Sequence, residues 1–204
     1  AVGLAITAVL FFMFTKDDPG LAKRRAEGVH PVPFRVQMAP LKNLQVWRFS
    51  LYYFFVFGAF VALALWMPHY LIDVYGLDVR TAGMSAAAFS LSASLFRAYG
   101  GHLSDKFGAH QVTWWVLWMS WICLFLLSYP QTDMTIMTVN GATTFHIGLN
   151  VYAFTALMFI LGIAWAFGKA SVFKYISDDY SHNIGTISGI VGLAGGLGGF
   201  VLPI

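Results

Sequence analysis

Hydrophobic residues in this chain fall into long unbroken stretches, not the alternation of a half-buried strand, and polar residues collect in short gaps between them. A helix needs about 20 predominantly apolar residues to cross the hydrocarbon core of a bilayer. Runs of roughly that length occur at 46–72, 81–103, 111–129, 149–175 and 184–204, with a shorter one at 1–14. The pattern predicts five membrane-spanning helices and the end of another: an all-α membrane protein, truncated at both ends.

The gaps set the orientation. Residues 15–45 carry Lys16, Lys23, Arg24, Arg25, Arg35 and Lys42 together with four prolines, which argues against a continuous helix and for a solvent-exposed connector. Cytoplasmic loops hold an excess of Lys and Arg, so this connector is expected inside. Alternation then puts 73–80 outside, 104–110 inside, 130–148 outside and 178–183 inside. The 130–148 gap has no Lys or Arg and, with Thr132, Thr135, Thr138, Asn140, Thr143 and Thr144, reads as a polar surface loop. Lys106, Lys169 and Lys174 lie in or near the later inside turns and read as positive-inside anchors, while Arg80 is the exception.

Composition sharpens this. Hydrophobic residues make up 58% and charged residues 10% of the chain, against roughly a quarter charged in soluble domains, so a soluble fold is excluded. The net charge of +3 marks topology, with no basic face for nucleic acid. Residues 1–14 show no initiating Met, basic n-region or small-residue cleavage site, and read as the tail of a spanning helix, not a signal peptide. Cys123, the single cysteine, cannot form an intrachain disulfide and reads as a small core residue. No soluble domain, low-complexity tract or convincing internal repeat stands out. His69, His102 and His146 are at unmatched spacings, and no nucleophile–base pair or phosphate loop is visible, so neither an enzyme nor a metal or cofactor site is expected.

Three features carry candidate chemistry. The first is the run from Gly101 through Asp105, Lys106, Phe107 and Gly108 to His110 on an inside turn. Glycines permit a tight turn, and Asp105 is placed to meet helix N-termini or cations of a neighbouring helix and so hold one conformational state closed. The second is Arg97, inside the 81–103 span. An arginine in hydrocarbon costs at least about 2.5 kcal/mol, so it either faces a water-filled cavity or snorkels to the inside boundary about two turns away. Its coplanar N–H donors match two oxygens of a planar oxyanion. The third is the last span, where Gly185, Gly189, Gly192, Gly196 and Gly199 alternate in steps of four and three and align as one bare helical stripe. Such a stripe serves as a packing face, or bends and offers backbone to a small ligand.

Together these runs resemble a known family. The turn motif is similar to that of the major facilitator superfamily, except that His110 stands where Arg or Lys is usual. Gly189 to Phe200, including Gly195, Gly196 and Gly199, resembles the glycine-rich nitrate signature on the eleventh helix of the nitrate/nitrite porter branch. Arg97 stands where that family has the substrate-binding arginine of its eighth helix. Tyr53 and Phe57, four apart, resemble the aromatic pair of its seventh helix, and the run from Ala164 to Tyr175 resembles its tenth.

The resemblance implies a six-helix half of an alternating-access transporter. Residues 1–14 would end helix six, 15–45 would be the cytoplasmic connector, and 46–204 would be helices seven to eleven, in a bacterial cytoplasmic membrane. It implies that Arg97 provides half of a cationic clamp for nitrate or nitrite, that Tyr53 and Phe57 sandwich the anion, and that Gly189 and Gly192 offer backbone. Helices one to five with the partner arginine, and helix twelve, are absent. Asp73, Asp78, Asp133, Asp178 and Asp179 all fall at span ends or in loops, which favours nitrate/nitrite antiport over proton symport. A symporter, a carrier of another small anion, and a receptor that binds an anion without moving it remain alternatives.

Overall fold

The computed structural model describes residues 2–15, 33–129, 131–139 and 141–204. Lys16, Lys23, Arg24 and Arg25, on which the connector reading rests, lie outside the described residues. The chain divides into two compact units. The first, Ala1–Ala39, holds the uncharged helix α1 (Val2–Phe14) and the single turn α2 (Phe34–Gln37).

The second unit, Pro40–Ile204, is a bundle of five helices. These are α3 (Leu44–Tyr75), α4 (Val79–Phe107), α5 (Ala109–Leu127), α6 (Val151–Asp179) and α7 (Ile184–Val201). Each predicted span is recovered with ends shifted by a few residues. Local chemistry fixes several of those ends. Asn43 accepts a hydrogen bond from the Gln45 N–H at the start of α3, and Asn150 accepts one from Ala153 at the start of α6. Gly76, at φ 67°, closes α3 in the left-handed conformation. Gly108, at φ 86°, turns the chain from α4 into α5, a conformation that side-chain-bearing residues rarely adopt.

Four helices, α3, α5, α6 and α7, are long and apolar enough to cross a membrane. The 29-residue α4 matches them in length and is less apolar, because it carries Arg97 among Ser85, Ser90, Ser92 and Ser94. α6 is the centre of the bundle: 44% of its apolar window is buried, against 22–28% in the other three. α3 packs chiefly on α7, and α4 and α5 on α6. Helices in lipid associate through close packing because the lipid tails are as apolar as leucine. Glycines supply the closeness. A Cβ at Gly58 would lie 2.5 Å from the Gly198 backbone, and one at Gly100 would lie 2.7 Å from Phe167 Cα.

One segment departs from the helical pattern. The 130–148 gap contains an antiparallel hairpin, β1 (Thr132–Thr138) paired with β2 (Gly141–Ile147), in place of an irregular loop. Threonine-rich strands around an Asn-Gly step are a hairpin signal in the sequence that hydropathy does not report. Gln131 ties the hairpin to the bundle, donating to the Leu149 carbonyl at 2.7 Å and to the Tyr75 hydroxyl at 3.2 Å.

Candidate functional site

Helix lengths bring the candidate residues to one depth. Arg97 lies ten residues before the end of α4 at Phe107, roughly 15 Å along the axis at 1.5 Å per residue. Tyr53, nine residues into α3, and Gly195, eleven into α7, fall in nearly the same layer. α4 continues four residues past the sequence-predicted end at Leu103, through the polar turn motif, and Arg97 is exposed on the surface of this bundle.

In that layer the side chains meet. Tyr53, only 5% exposed, stacks on Phe57 with ring centroids 5.6 Å apart and planes 19° apart. It also meets Phe173 of α6 edge-on at 5.1 Å. The Arg97 guanidinium carbon lies 5.9 Å from the Phe173 ring centre and interacts with the Tyr53 hydroxyl. Arg97 and Phe57 therefore both adjoin Tyr53. The ring pair does not form a slot, however. A planar anion held between two rings needs about 7 Å, two contacts of roughly 3.5 Å each. At 5.6 Å the rings fill that gap themselves and present one aromatic wall beside the guanidinium.

The last helix is rotated from its expected use. The residue against the Tyr53 ring is Gly195, where a Cβ would lie 2.4 Å from Tyr53 Cδ1, so only glycine lets the ring lie on the α7 backbone. Gly198 meets the α3 backbone in the same way. Gly185, Gly189, Gly192 and Gly196 have nothing within 4 Å of such a Cβ, so most of the predicted stripe points away from α3. Gly199 makes ordinary contact with Phe57 and Val61, and Phe200 is 71% exposed.

Lys169 requires a correction. Read as an inside anchor, it is instead 5% exposed in the bundle core, with Nζ 3.5 Å from the Phe60 ring centre and 6.0 Å from that of Phe57. The reason is the true end of α6 at Asp179, which leaves Lys169 ten residues inside the helix. Lys174 is near the inner end, as expected, and there it bonds Asp105 at 3.1 Å and Asp178 at 3.0 Å. Asp105 of the turn motif thus meets a cation of α6, joining the inner ends of α4 and α6. Lys106 lies over the Phe107 ring at 5.3 Å, and Gly101 has open space around it.

A cavity of 840 Å³ lies elsewhere, chiefly between α3 and α5. Arg48 and Ser120 aside, its lining, which includes Leu51, Phe55, Trp114, Trp118 and Trp121, is mainly apolar. No group of His, Cys, Asp or Glu among the described residues could hold a metal ion.

Comparison with known proteins gives a consistent picture. Residues 1–203 match the family model of the Major Facilitator Superfamily. The chain is 39% identical over 201 residues to a probable nitrate/nitrite antiporter of Thermus thermophilus, covering 98% of the chain and 45% of the relative. It is 31% identical over 203 residues to a probable nitrate transporter of Staphylococcus epidermidis, covering 98% and 46%. To a nitrite extrusion protein of Bacillus subtilis it is 32% identical over 166 residues, covering 81% and 38%. The chain thus spans about half the length, or less, of the curated relatives it matches.

Proposed function

The chain belongs to the major facilitator superfamily, and from that premise we propose that it is the second-half bundle of a transporter exchanging nitrate and nitrite across the bacterial cytoplasmic membrane by alternating access. In this reading 1–14 ends helix six, 15–45 is the cytoplasmic connector and 46–204 supplies helices seven to eleven. A first half, with helices one to five, completes the site.

The observation that carries the proposal is Arg97, mid-helix and open to the exposed side of the bundle, beside the wall of Tyr53, Phe57 and Phe173. A guanidinium offers two parallel N–H donors to two oxygens of a planar oxyanion, and its charge persists at any physiological pH. The aromatic wall covers one side of the guanidinium with apolar surface, which strengthens that attraction. Gly195 keeps Tyr53 against the α7 backbone, and Gly189 and Gly192 leave another face of the same helix bare, with open space beside it. The pair Asp105–Lys174 acts as an inner latch that breaks and reforms as the halves rock. No covalent chemistry is involved, so this is a transporter and not an enzyme. Exchange, and not proton symport, is supported by the position of the described carboxylates: Asp73, Asp78, Asp105, Asp133, Asp178 and Asp179 all lie at helix ends or in the hairpin.

The test is uptake of labelled nitrate into proteoliposomes holding the full-length protein, with and without nitrite inside. Uptake that depends on internal nitrite is expected, and Arg97→Lys is expected to reduce it at least tenfold by removing the planar fork. Normal uptake by Arg97→Lys would refute the assignment of Arg97, and no exchange of either anion by the unsubstituted protein would refute the function.

A further inference from the structure

We propose that Lys169 is a second ligand of the transported anion, supplying charge to the site in which Arg97 supplies shape. The proposal rests on the nitrate/nitrite reading above and adds a residue that the resemblance did not single out.

Lys169 and Arg97 each lie ten residues before the inner end of their helices, α6 and α4, which places them at one depth. One aromatic cluster joins them: Arg97 lies 5.9 Å from the Phe173 ring centre, Tyr53 meets Phe173 edge-on and stacks on Phe57, and Lys169 lies 6.0 Å from the Phe57 ring centre, so the two like charges face one another across it. Lys169 is almost wholly enclosed, and its ammonium rests on Phe60 at 3.5 Å, with Phe57 of the aromatic wall at 6.0 Å. Enclosing an ammonium this way sacrifices its hydration, and contact with a ring returns only part of the loss. A carboxylate would ordinarily offset the remainder. Among the described residues none pairs with Lys169: Asp105 and Asp178 bind Lys174, Asp133 binds His146, and Asp78 caps α4. A buried cation and an exposed one facing the same aromatic cluster, with no carboxylate partner for the buried one among the described residues, form a site for a diffusible anion. An anion between them relieves both the desolvation of Lys169 and its repulsion with Arg97.

The two cations differ in what they recognise. Lys169 is a point charge on a flexible stem with three rotatable donors, so it holds a monovalent anion of either geometry. The Arg97 fork is rigid and discriminates by the placement of oxygens. Removing Lys169 should therefore weaken nitrate and nitrite alike, whereas altering Arg97 should change their ratio.

The experiment measures KM and maximal rate of nitrate and nitrite exchange in proteoliposomes of the full-length protein, for Lys169→Met, Lys169→Arg and the unsubstituted form. Lys169→Met is expected to raise both KM values tenfold or more with their ratio held within about twofold, consistent with the loss of one charge-assisted hydrogen bond. Lys169→Arg is expected to restore both to within a few-fold. Melting in detergent is followed for each variant. Methionine keeps most of the volume and removes a buried charge, so Lys169→Met is not expected to melt lower. KM values unchanged in Lys169→Met overturn the proposal. It is also overturned if both variants melt lower and lose exchange together, since Lys169 is then structural. Failure of the unsubstituted protein to exchange either anion overturns the parent reading instead.

Discussion

Gly198→Ala probes how closely α3 and α7 must approach. A Cβ at Gly198 would lie 2.3 Å from the Phe54 carbonyl oxygen, whereas ordinary contact begins at 3.4 Å, so the helices must part by about 1.1 Å. The obstructing atom is backbone and has no rotamer to change. Gly58 lies against the same point from the other side, its own Cβ position 2.5 Å from the Gly198 backbone. Overpacking of this kind costs about 1–3 kcal/mol. Alanine's better helix propensity returns about 1 kcal/mol, leaving a net loss of up to roughly 2 kcal/mol. At about 2–4 °C per kcal/mol, the melting temperature should fall by up to roughly 8 °C. Gly185→Ala is the matched control: it is on the same helix, has nothing within 4 Å of its Cβ position, and should leave the melting temperature unchanged or slightly raised. The assay is thermal unfolding of the full-length protein in detergent, followed by fluorescence of the chain's seven tryptophans. If Gly198→Ala melts at or above Gly185→Ala, the close approach of the two helices is wrong.

Two further outcomes follow from the helix ends. Asp105→Asn and Lys174→Met, combined in a double-mutant cycle, should lower the melting temperature by less together than the sum of their separate effects, a small coupling for so exposed a pair; strictly additive effects on melting would remove the latch. Asp78, at the N-cap of α4, receives hydrogen bonds from the Thr81 hydroxyl and backbone N–H, which hold its carboxyl below the ordinary carboxylate value. A carboxylate with a depressed folded value adds stability that is present above the unfolded value near 4 and is lost as pH falls through the folded one. Melting curves from pH 7 to pH 3 should therefore show an acid-side decline below about pH 4 that Asp78→Asn makes shallower; an unaltered decline would count against that cap.

Much of this protein is determined along the chain. Apolar runs of membrane-crossing length fix the number and approximate ends of the helices, because hydrocarbon leaves a backbone little choice but to satisfy its hydrogen bonds internally. Arg97, Tyr53 and Phe57 were legible through their residue types and the family pattern. Gly108 and the Asp105 turn were legible because a tight polar reversal between two spans demands them. What the sequence could not decide is rotation and depth. One residue turns a helix by about 100°, so a glycine stripe at Gly185, Gly189, Gly192 and Gly196 and a packing face at Gly195 and Gly198 have the same periodicity and differ only in which way they point. Likewise, whether Lys169 anchors at a headgroup or lies buried beside Arg97 depends on where α6 ends, and hydropathy blurs that end by a few residues. Only the packing of α3, α4, α6 and α7 settles it, because the neighbours of a membrane helix, and not its own polarity, choose the face that turns inward.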